Sequence, residues 1–365
     1  MSATALPQNL RSRELGIPFD GITGTKNSIL DVKGVEVGHS TIIEGKAVPG
    51  DMKAAHTGVT IIFPRGKKII SGVPGATFSL NGNGEMTGIS WIDESGLIEG
   101  PIGLTNTLSV GVVRDSITAW IHKKFPKNLD VGMLPVVAET DDSWLNDPFS
   151  YHVKKSHVLE AIDNANSQKL EEGAVGAGTG TVTFGFKAGI GTSSRKTEAG
   201  YTVGVLVQSN FGRREELSIR GIPLGKHLTK SYLPIEHPTP KRDGSIIVVV
   251  ATDAPLLPHQ MKRLTKRVGM GLARTGSFAH NSSGDIFIAF STAVPKENKL
   301  GLQTWTSLKN ENMDELFKAT VEATEESILN ALVAAKDSVG INGNKYFALP
   351  HSVIEGLSFD HLKKQ

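Results

Sequence analysis

The sequence predicts a layered α/β protein, and two patterns indicate it. Several short apolar runs are bounded by glycine or proline and are apolar on both faces, as in strands that are buried on both sides. Two longer segments repeat apolar residues at steps of three or four, as in helices that cover a sheet with one face. Two sheets packed together with helices outside would satisfy both patterns, and so would one doubly wound sheet. The patterns leave both architectures open.

The clearest predicted strands are rich in β-branched residues, as in "SIIVVVATD" and "YTVGVLVQSN". They cover 58–64, 108–113, 133–139, 201–210, 245–253 and 285–292. Helices are predicted over 257–273 and 313–336, with a third near 153–165. In the first of these, apolar residues stand at steps of three or four: Leu257, Met261, Leu264, Val268 and Leu272.

Length and composition describe a globular protein with one large core or two ordinary domains, since the chain has 365 residues and a formal net charge of +2. The absence of cysteine excludes disulfides, thiolate catalysis and zinc–sulfur sites. Basic residues in "MKRLTKRVG" are interspersed with apolar ones, which favours a solvated helix face over a nucleic-acid surface. The N-terminus has no apolar signal region, and no run is long enough to span a membrane. We therefore expect a cytoplasmic protein.

The best candidate for a domain boundary is the proline-rich loop 234–244. The strand that follows it is among the most apolar in the chain, so it must lie in the core beside elements from the first part. We therefore expect a single domain, with a loop that divides the chain without dividing the fold.

Several patterns that would indicate other functions are incomplete or absent. The segment 173–185, "GAVGAGTGTVTFG", lacks both the Rossmann glycine spacing and a following GK[ST], so it is interpreted as a strand connection with close backbone packing. The eleven histidines have no metal-ligand spacing. His280, beside "NSS", is interpreted as a surface or hydrogen-bonding residue. A G-x-S-x-G elbow, which an α/β-hydrolase would have, does not occur.

The junction between Gly244 and Ser245 has two interpretations. By spacing alone, a glycine turn that leads into a strand is favoured. The alternative is a cut between the two residues, which would give Ser245 both a hydroxyl nucleophile and a free α-amine. An α-amine has a pKa near 7.7–8.0, so part of it is neutral at pH 7 and can act as a base. Gly244 would keep bulk away from the carbonyl that is attacked.

Motifs along nearly the whole chain resemble those of the self-processing serine aminopeptidases, a family that includes L-aminopeptidase/D-amidase-esterases and β-aminopeptidases. They occur in order as "SRELGIPFDG", "NSILDVKGVEVGHSTI", "SLNGNGEMTGISWIDESGLIEGPIGLTNT", "VVAET", "GAVGAGTG", "GIGTSSR", "VLVQSNFGRR", "DGSIIVVVATDAPL" and "HNSSGDIFIAFST". The resemblance implies a four-layer α/β/β/α sandwich, shared with ornithine acetyltransferase. It also implies a cut into residues 1–244 and 245–365, which stay associated.

The resemblance assigns roles to residues around the cut. Ser245 would be the nucleophile for self-cleavage and for hydrolysis, supported by Ser283 and Asp285 of "NSSGDIF". Some β-aminopeptidases have glutamate where Asp285 stands. The side-chain amide of Asn210, in "QSNFG", would stabilise the oxyanion. Without the resemblance, each of these would be interpreted as an ordinary turn residue.

Glu139, in "VVAETDD", would receive the free amino group of the substrate. Asp141 and Asp142 follow it and could equally cap the next turn. Trp144 is a candidate lining residue of the pocket. The expected function is removal of an N-terminal amino acid from short peptides, amides or esters, without a metal or cofactor, by a homotetramer of cut pairs. An acyltransferase and an uncut, non-catalytic binding protein are the alternatives.

Overall fold

The computed structural model describes residues 10–127, 132–228 and 244–362. Apart from Gly244, the predicted boundary loop 234–244 lies outside these residues. The strands are β1 (Glu36–Glu44), β2 (Ala55–Phe63), β3 (Val73–Gly82), β4 (Leu97–Ile98), β5 (Ile102–Asn106), β6 (Val136–Thr140), β7 (Val182–Thr183), β8 (Phe186–Lys187), β9 (Ile190–Lys196), β10 (Thr202–Phe211), β11 (Gly244–Thr252), β12 (Gly284–Ser291), β13 (Lys296–Glu297), β14 (Gln303–Thr304), β15 (Ser338–Val339) and β16 (Lys345–Tyr346).

The longer helices pack against the two main sheets, two on each: residues 110–124 and 155–164 on one sheet, and residues 258–274 and 314–333 on the other. The helices are α1 (Ile89–Ser95), α2 (Val110–Lys124), α3 (Lys155–Asn164), α4 (Leu224–His227), α5 (Pro258–Arg274), α6 (Asp314–Val333) and α7 (His351–Glu355). The three helices expected from periodicity correspond to α3, α5 and α6. In the part of the chain that the structure describes, no helix combines the length and the apolar character needed to cross a membrane.

Two sheets form the centre of the molecule. One has the strand order β1-β2-β5-β6, and the other has the order β4-β3-β12-β11-β10-β9. Three apolar clusters separate four layers: one lies between the sheets and includes Ile247, one lies under α5 and α6 and includes Val248, and one lies under α2 and α3 and includes Ile61. The expected four-layer α/β/β/α sandwich is confirmed, and the single doubly wound sheet is excluded.

The strand β11 lies in the interior of the six-stranded sheet. It pairs antiparallel with β10 on one side and parallel with β12 on the other. In turn, β12 pairs antiparallel with β3. The two strands that follow residues 229–243, β11 and β12, therefore lie side by side between strands that precede this segment, and the N-terminal end of β11 lies between two neighbouring strands.

The strand predicted over 108–113 is wrong. The strand ends earlier, at β5, and Val110 begins helix α2. The short run "LSVGVV" is rich in β-branched residues, but the longer window repeats apolar residues with helical spacing at Val110, Val113, Ile117 and Ile121. These side chains are buried against the four-stranded sheet. Burial of this one face decides the conformation over local β-propensity.

Close backbone packing explains the glycines of 173–185. A Cβ at Gly178 would touch the backbone nitrogen of Ile190, and one at Gly180 would overlap the carbonyl oxygen of His56. The segment thus passes between the two sheets in a space that admits only backbone, as its composition indicates.

Candidate active site

Ser245 lies at the start of β11, between two neighbouring strands. It is paired with Asn210 of β10 and with Gly284 of β12, and it is 5% exposed. Gly244 before it has a φ of 78°, a conformation that favours glycine. A Cβ at this position would overlap the backbone carbonyl oxygen of Asn210. Only glycine lets the chain enter the sheet at this point.

The side chain of Asn210 is fixed at both ends of its amide. Its Oδ1 accepts a hydrogen bond from the Val182 N–H at 2.9 Å, and its Nδ2 donates to the carbonyl of Asp141 at 2.8 Å. If the amide were flipped, its NH2 group would face the Val182 N–H and its oxygen would face the Asp141 carbonyl. The hydrogen bonds therefore define its orientation. Nδ2 carries a second hydrogen, which can serve a further acceptor beside Ser245.

Ser283 and Asp285 form a hydrogen-bonded pair where β12 begins. The Ser283 hydroxyl donates to Oδ1 of Asp285 at 2.6 Å, and the Asn81 amide donates to Oδ2 at 3.2 Å. Burial raises the pKa of Asp285, while these hydrogen bonds and the charge of His280 act to lower it. Aspartate is thus long enough to hold the serine hydroxyl at this position.

Successive side chains of a strand point to opposite faces of the sheet. Ser245 and Asn210 therefore lie on one face, and Asp285 lies on the other. Ile246 packs toward the outer helices, so the Ser245 side chain faces the other sheet, as Asn210 does. Ile286 packs between the sheets, so Asp285 faces the helices. The Ser283–Asp285 pair therefore approaches Ser245 from the side of its backbone, at the level set by the pairing of Ser245 with Gly284.

Glu139 lies at the end of β6, with both carboxylate oxygens bound. The Thr107 hydroxyl donates to Oε2, and the Glu85 N–H donates to Oε1 at 2.9 Å. The side chain is buried, and this burial raises its pKa, while the two hydrogen bonds lower it. A Cβ built on Gly84 would contact both Oε1 and the Cα of Gly284, at 3.3 and 3.4 Å. Glu139 is therefore close to the cross-strand partner of Ser245.

The remaining sequence candidates have different surroundings. Trp144 packs its ring 6.4 Å from that of Tyr346, and its carbonyl accepts a hydrogen bond from Asn344. The structure thus places Trp144 with the C-terminal segment, and its part in a pocket stays a prediction. His280 is buried and bonds to Glu216 at 2.9 Å. It is a hydrogen-bonding residue, as the sequence indicates.

Sequence reasoning missed several residues that support this arrangement. Asn81 donates to the carbonyls of Ala279 and His280 as well as to Asp285, and Thr107 bonds to Glu139. Both stand in the long motif "SLNGNGEMTGISWIDESGLIEGPIGLTNT". Asn81 lies in its polar, glycine-rich start, which is a signal, whereas Thr107 ends the motif without a distinguishing pattern around it. Lys187 is fully buried near Asn210, and it stands in none of the motifs that the sequence analysis identifies.

Comparison with known proteins identifies what this arrangement resembles. The model of peptidase family S58 matches residues 27–346. The beta-peptidyl aminopeptidase BapA of Sphingosinicella microcystinivorans is 44% identical over 374 residues, which cover 98% of this chain and 94% of that protein. These matches confirm the resemblance that the sequence motifs indicate.

Two solved structures agree with this. A beta-aminopeptidase from Burkholderia sp. superposes with a TM-score of 0.86 at 41% identity, covering 97% of this chain and 99% of that one. The L-aminopeptidase D-Ala-esterase/amidase of Ochrobactrum anthropi, described as a prototype of the serine aminopeptidases with a variant of the Ntn-hydrolase fold, gives 0.85 at 39% identity, covering 94% and 96%. Both similarities extend over nearly the entire length of each chain.

Proposed function

From the premise that the chain belongs to peptidase family S58 and is an aminopeptidase, we propose that it cuts itself before Ser245 and then works through an acyl-enzyme on that residue. The observation that carries the proposal is the convergence at the start of β11. Ser245 lies there between Asn210 and Gly284, with the Ser283–Asp285 pair and Glu139 close to the same strand end.

Maturation is an acyl shift followed by hydrolysis. The Ser245 hydroxyl oxygen attacks the carbonyl carbon of Gly244, the C–N bond breaks, and the nitrogen of Ser245 takes the proton that the hydroxyl releases. Water then hydrolyses the resulting ester. Gly244 ends in a carboxylate, and Ser245 gains a free α-amine beside its own hydroxyl.

The mature site then repeats this chemistry on a substrate. Glu139 binds the substrate ammonium, so a blocked N-terminus is excluded. The Ser245 hydroxyl attacks the substrate carbonyl while the α-amine takes its proton, and the oxyanion receives the second Nδ2 hydrogen of Asn210. The α-ammonium protonates the leaving amine, and water releases the acyl group. The Ser283–Asp285 pair approaches from the backbone side, which suits it to hold this α-amine.

Two fragments are the expected form of the purified wild-type protein. On a denaturing gel the 39.0 kDa chain should give two bands, and N-terminal sequencing of the smaller one should read Ser-Ile-Ile-Val. L-, D- and β-alanyl p-nitroanilides test the substrate preference, with N-acetylated alanyl p-nitroanilide as the blocked control. A single intact band that hydrolyses the unblocked substrates would contradict Ser245 as the nucleophile.

The acid side of the pH profile tests Glu139. Protonation of the Ser245 α-amine already lowers kcat/KM with a slope of one below its pKa. The pKa of Glu139 is raised, and only its carboxylate binds an ammonium group, so log(kcat/KM) should steepen to a slope of two as the pH falls through this second pKa. The Thr107 hydroxyl lowers the pKa of Glu139. The Thr107→Val variant should therefore shift the onset of this steeper segment to higher pH. Thr118→Val, which removes a hydroxyl bonded to the Arg114 carbonyl in α2, is the matched control. A steeper segment that is missing, or that does not move in Thr107→Val, rules out this role of Glu139.

A further inference from the structure

A lysine is completely buried behind Asn210, outside the residues assigned so far. The Nζ of Lys187 lies 2.6 Å from the carbonyl oxygen of Ala188, 2.8 Å from that of Thr181 and 3.3 Å from that of Gly178. Three acceptors match the three hydrogens of an ammonium group, whereas a neutral amine would turn a lone pair toward one of them. Burial lowers the pKa of Lys187 to about 7, and the charge of Asp142 acts to raise it. The contacts favour the cation.

Asp142 is a second buried charged side chain, and its charge acts on this lysine. Its Oδ1 accepts from the Asn146 amide at 3.0 Å. Burial raises its pKa, and the Thr57 hydroxyl acts in the opposite direction. Moving a charged group from water into the interior costs free energy, which its partners offset only in part. Stability alone therefore gives little reason for a lysine at position 187.

Lys187 acts on one of the two peptide groups that hold Asn210. It binds the Thr181 carbonyl, and the N–H of the same peptide group, on Val182, donates to Oδ1 of Asn210. A cation on the carbonyl strengthens that N–H as a donor. A stronger donor on Oδ1 draws electron density from the amide and makes its remaining N–H a better donor. On the other side, the Asp141 carbonyl accepts from Nδ2 and leaves the second hydrogen available.

We propose that Lys187 is a positioning residue that fixes and polarises the side-chain amide of Asn210 through the peptide group 181–182. The proposal rests on the proposed function, in which this amide stabilises the oxyanion. Lys187 does not touch the substrate. It helps to determine which way the amide points and how strongly its second hydrogen attracts negative charge.

A double-mutant cycle on the full chain tests this proposal. The variants are Lys187→Met, Asn210→Ala and both together, and kcat and KM for an alanyl p-nitroanilide are normalised to the amount of the 245–365 fragment. Loss of an oxyanion donor costs about 10²–10³ in kcat, so we expect Asn210→Ala to fall in this range. Lys187→Met should lower kcat about tenfold or more and change KM less than about twofold. In the Asn210→Ala background it should change kcat less than about twofold.

An equal fall in kcat in both backgrounds would overturn the proposal, because Lys187 would then act independently of Asn210. If Asn210→Ala keeps full kcat, the oxyanion assignment of the proposed function fails instead. The surface variant Lys262→Met, which breaks only an exposed contact with Asp93, is the control and should behave as wild type. Should Lys187→Met not fold, Lys187→Met with Asp142→Asn removes both charges and enters the same cycle. A folded Lys187→Met chain that stays uncut counts against the proposal unless Asn210→Ala shows the same defect.

Discussion

The Ser245→Ala variant should run as one intact chain of 39.0 kDa on a denaturing gel and should not hydrolyse any aminoacyl p-nitroanilide. The substitution removes the oxygen that attacks the Gly244 carbonyl, and without the cut there is no α-amine to act as base. Loss of one residue that carries two functions should abolish both reactions. Activity should fall by at least about 10⁴-fold, as when the nucleophile of a hydrolase is removed.

The fold should survive this change, because Ser245 is paired through its backbone on both sides and alanine fits a strand start. Circular dichroism and thermal unfolding check this. Ser291→Ala, at the far end of β12, is the matched control, since its buried hydroxyl donates to the Ala254 carbonyl and accepts from the Ala293 N–H, both at the opposite end of the strand from Ser245. It should be cut and active. A Ser245→Ala chain that still separates into two fragments would refute the cut mechanism.

Gly244→Ala should block or strongly slow maturation, so that the intact chain accumulates. The φ of 78° costs an L-residue about 1–2 kcal/mol. In addition, the new Cβ would overlap the carbonyl of Asn210, which cannot move while β10 and β11 stay paired. The strand start must shift, and the Gly244 carbonyl then leaves the position from which Ser245 attacks it. The measurement is the fraction of intact chain against time after purification.

The Gly200→Ala variant distinguishes the effect of backbone strain at a positive φ from the effect of steric overlap at the strand start. Gly200 has a φ of 87°, yet a Cβ there meets no atom within 4 Å. It lies in the connection between β9 and β10, so its substitution carries the backbone strain without the overlap. We expect normal cutting and a small loss of stability. If Gly244→Ala and Gly200→Ala mature equally fast, close packing at the strand start has no part in maturation.

The sequence predicts most of the elements, because their burial leaves a periodic pattern. The runs 201–210, 245–253 and 285–292 are uniformly apolar since both faces are covered, and they are strands in the structure. Helix α2 was missed because a short window of β-branched residues hides a helical repeat that becomes visible only over fifteen residues. The strand order was out of reach for pattern reasoning, since pairings such as β12 with β3 join residues about 200 positions apart.

The residues of the candidate site also differ in whether the sequence reveals them. Ser245, Asn210 and the Ser283–Asp285 pair stand in recognisable motifs, and the structure places the first two side by side. Lys187 could not be found in this way. Its role depends on three carbonyl groups and, through the peptide group 181–182, on Asn210, which is 23 residues later in the chain. A single lysine next to a glycine-rich segment has no spacing that distinguishes it from a surface lysine.

The interior position of β11 and β12 has a consequence for the life of the protein after the proposed cut. Both strands would belong to the C-terminal fragment, while β10 and β3 on either side of them belong to the N-terminal one. The fragments could separate only if the hydrogen bonds of two strand pairs, β10–β11 and β3–β12, were broken. For the same reason, a cut molecule that unfolds loses the tether that kept its halves at high effective concentration. The intact chain folds as one molecule, whereas the two fragments of an unfolded mature enzyme would have to associate before they could refold. Refolding after the cut should therefore be less efficient than folding before it.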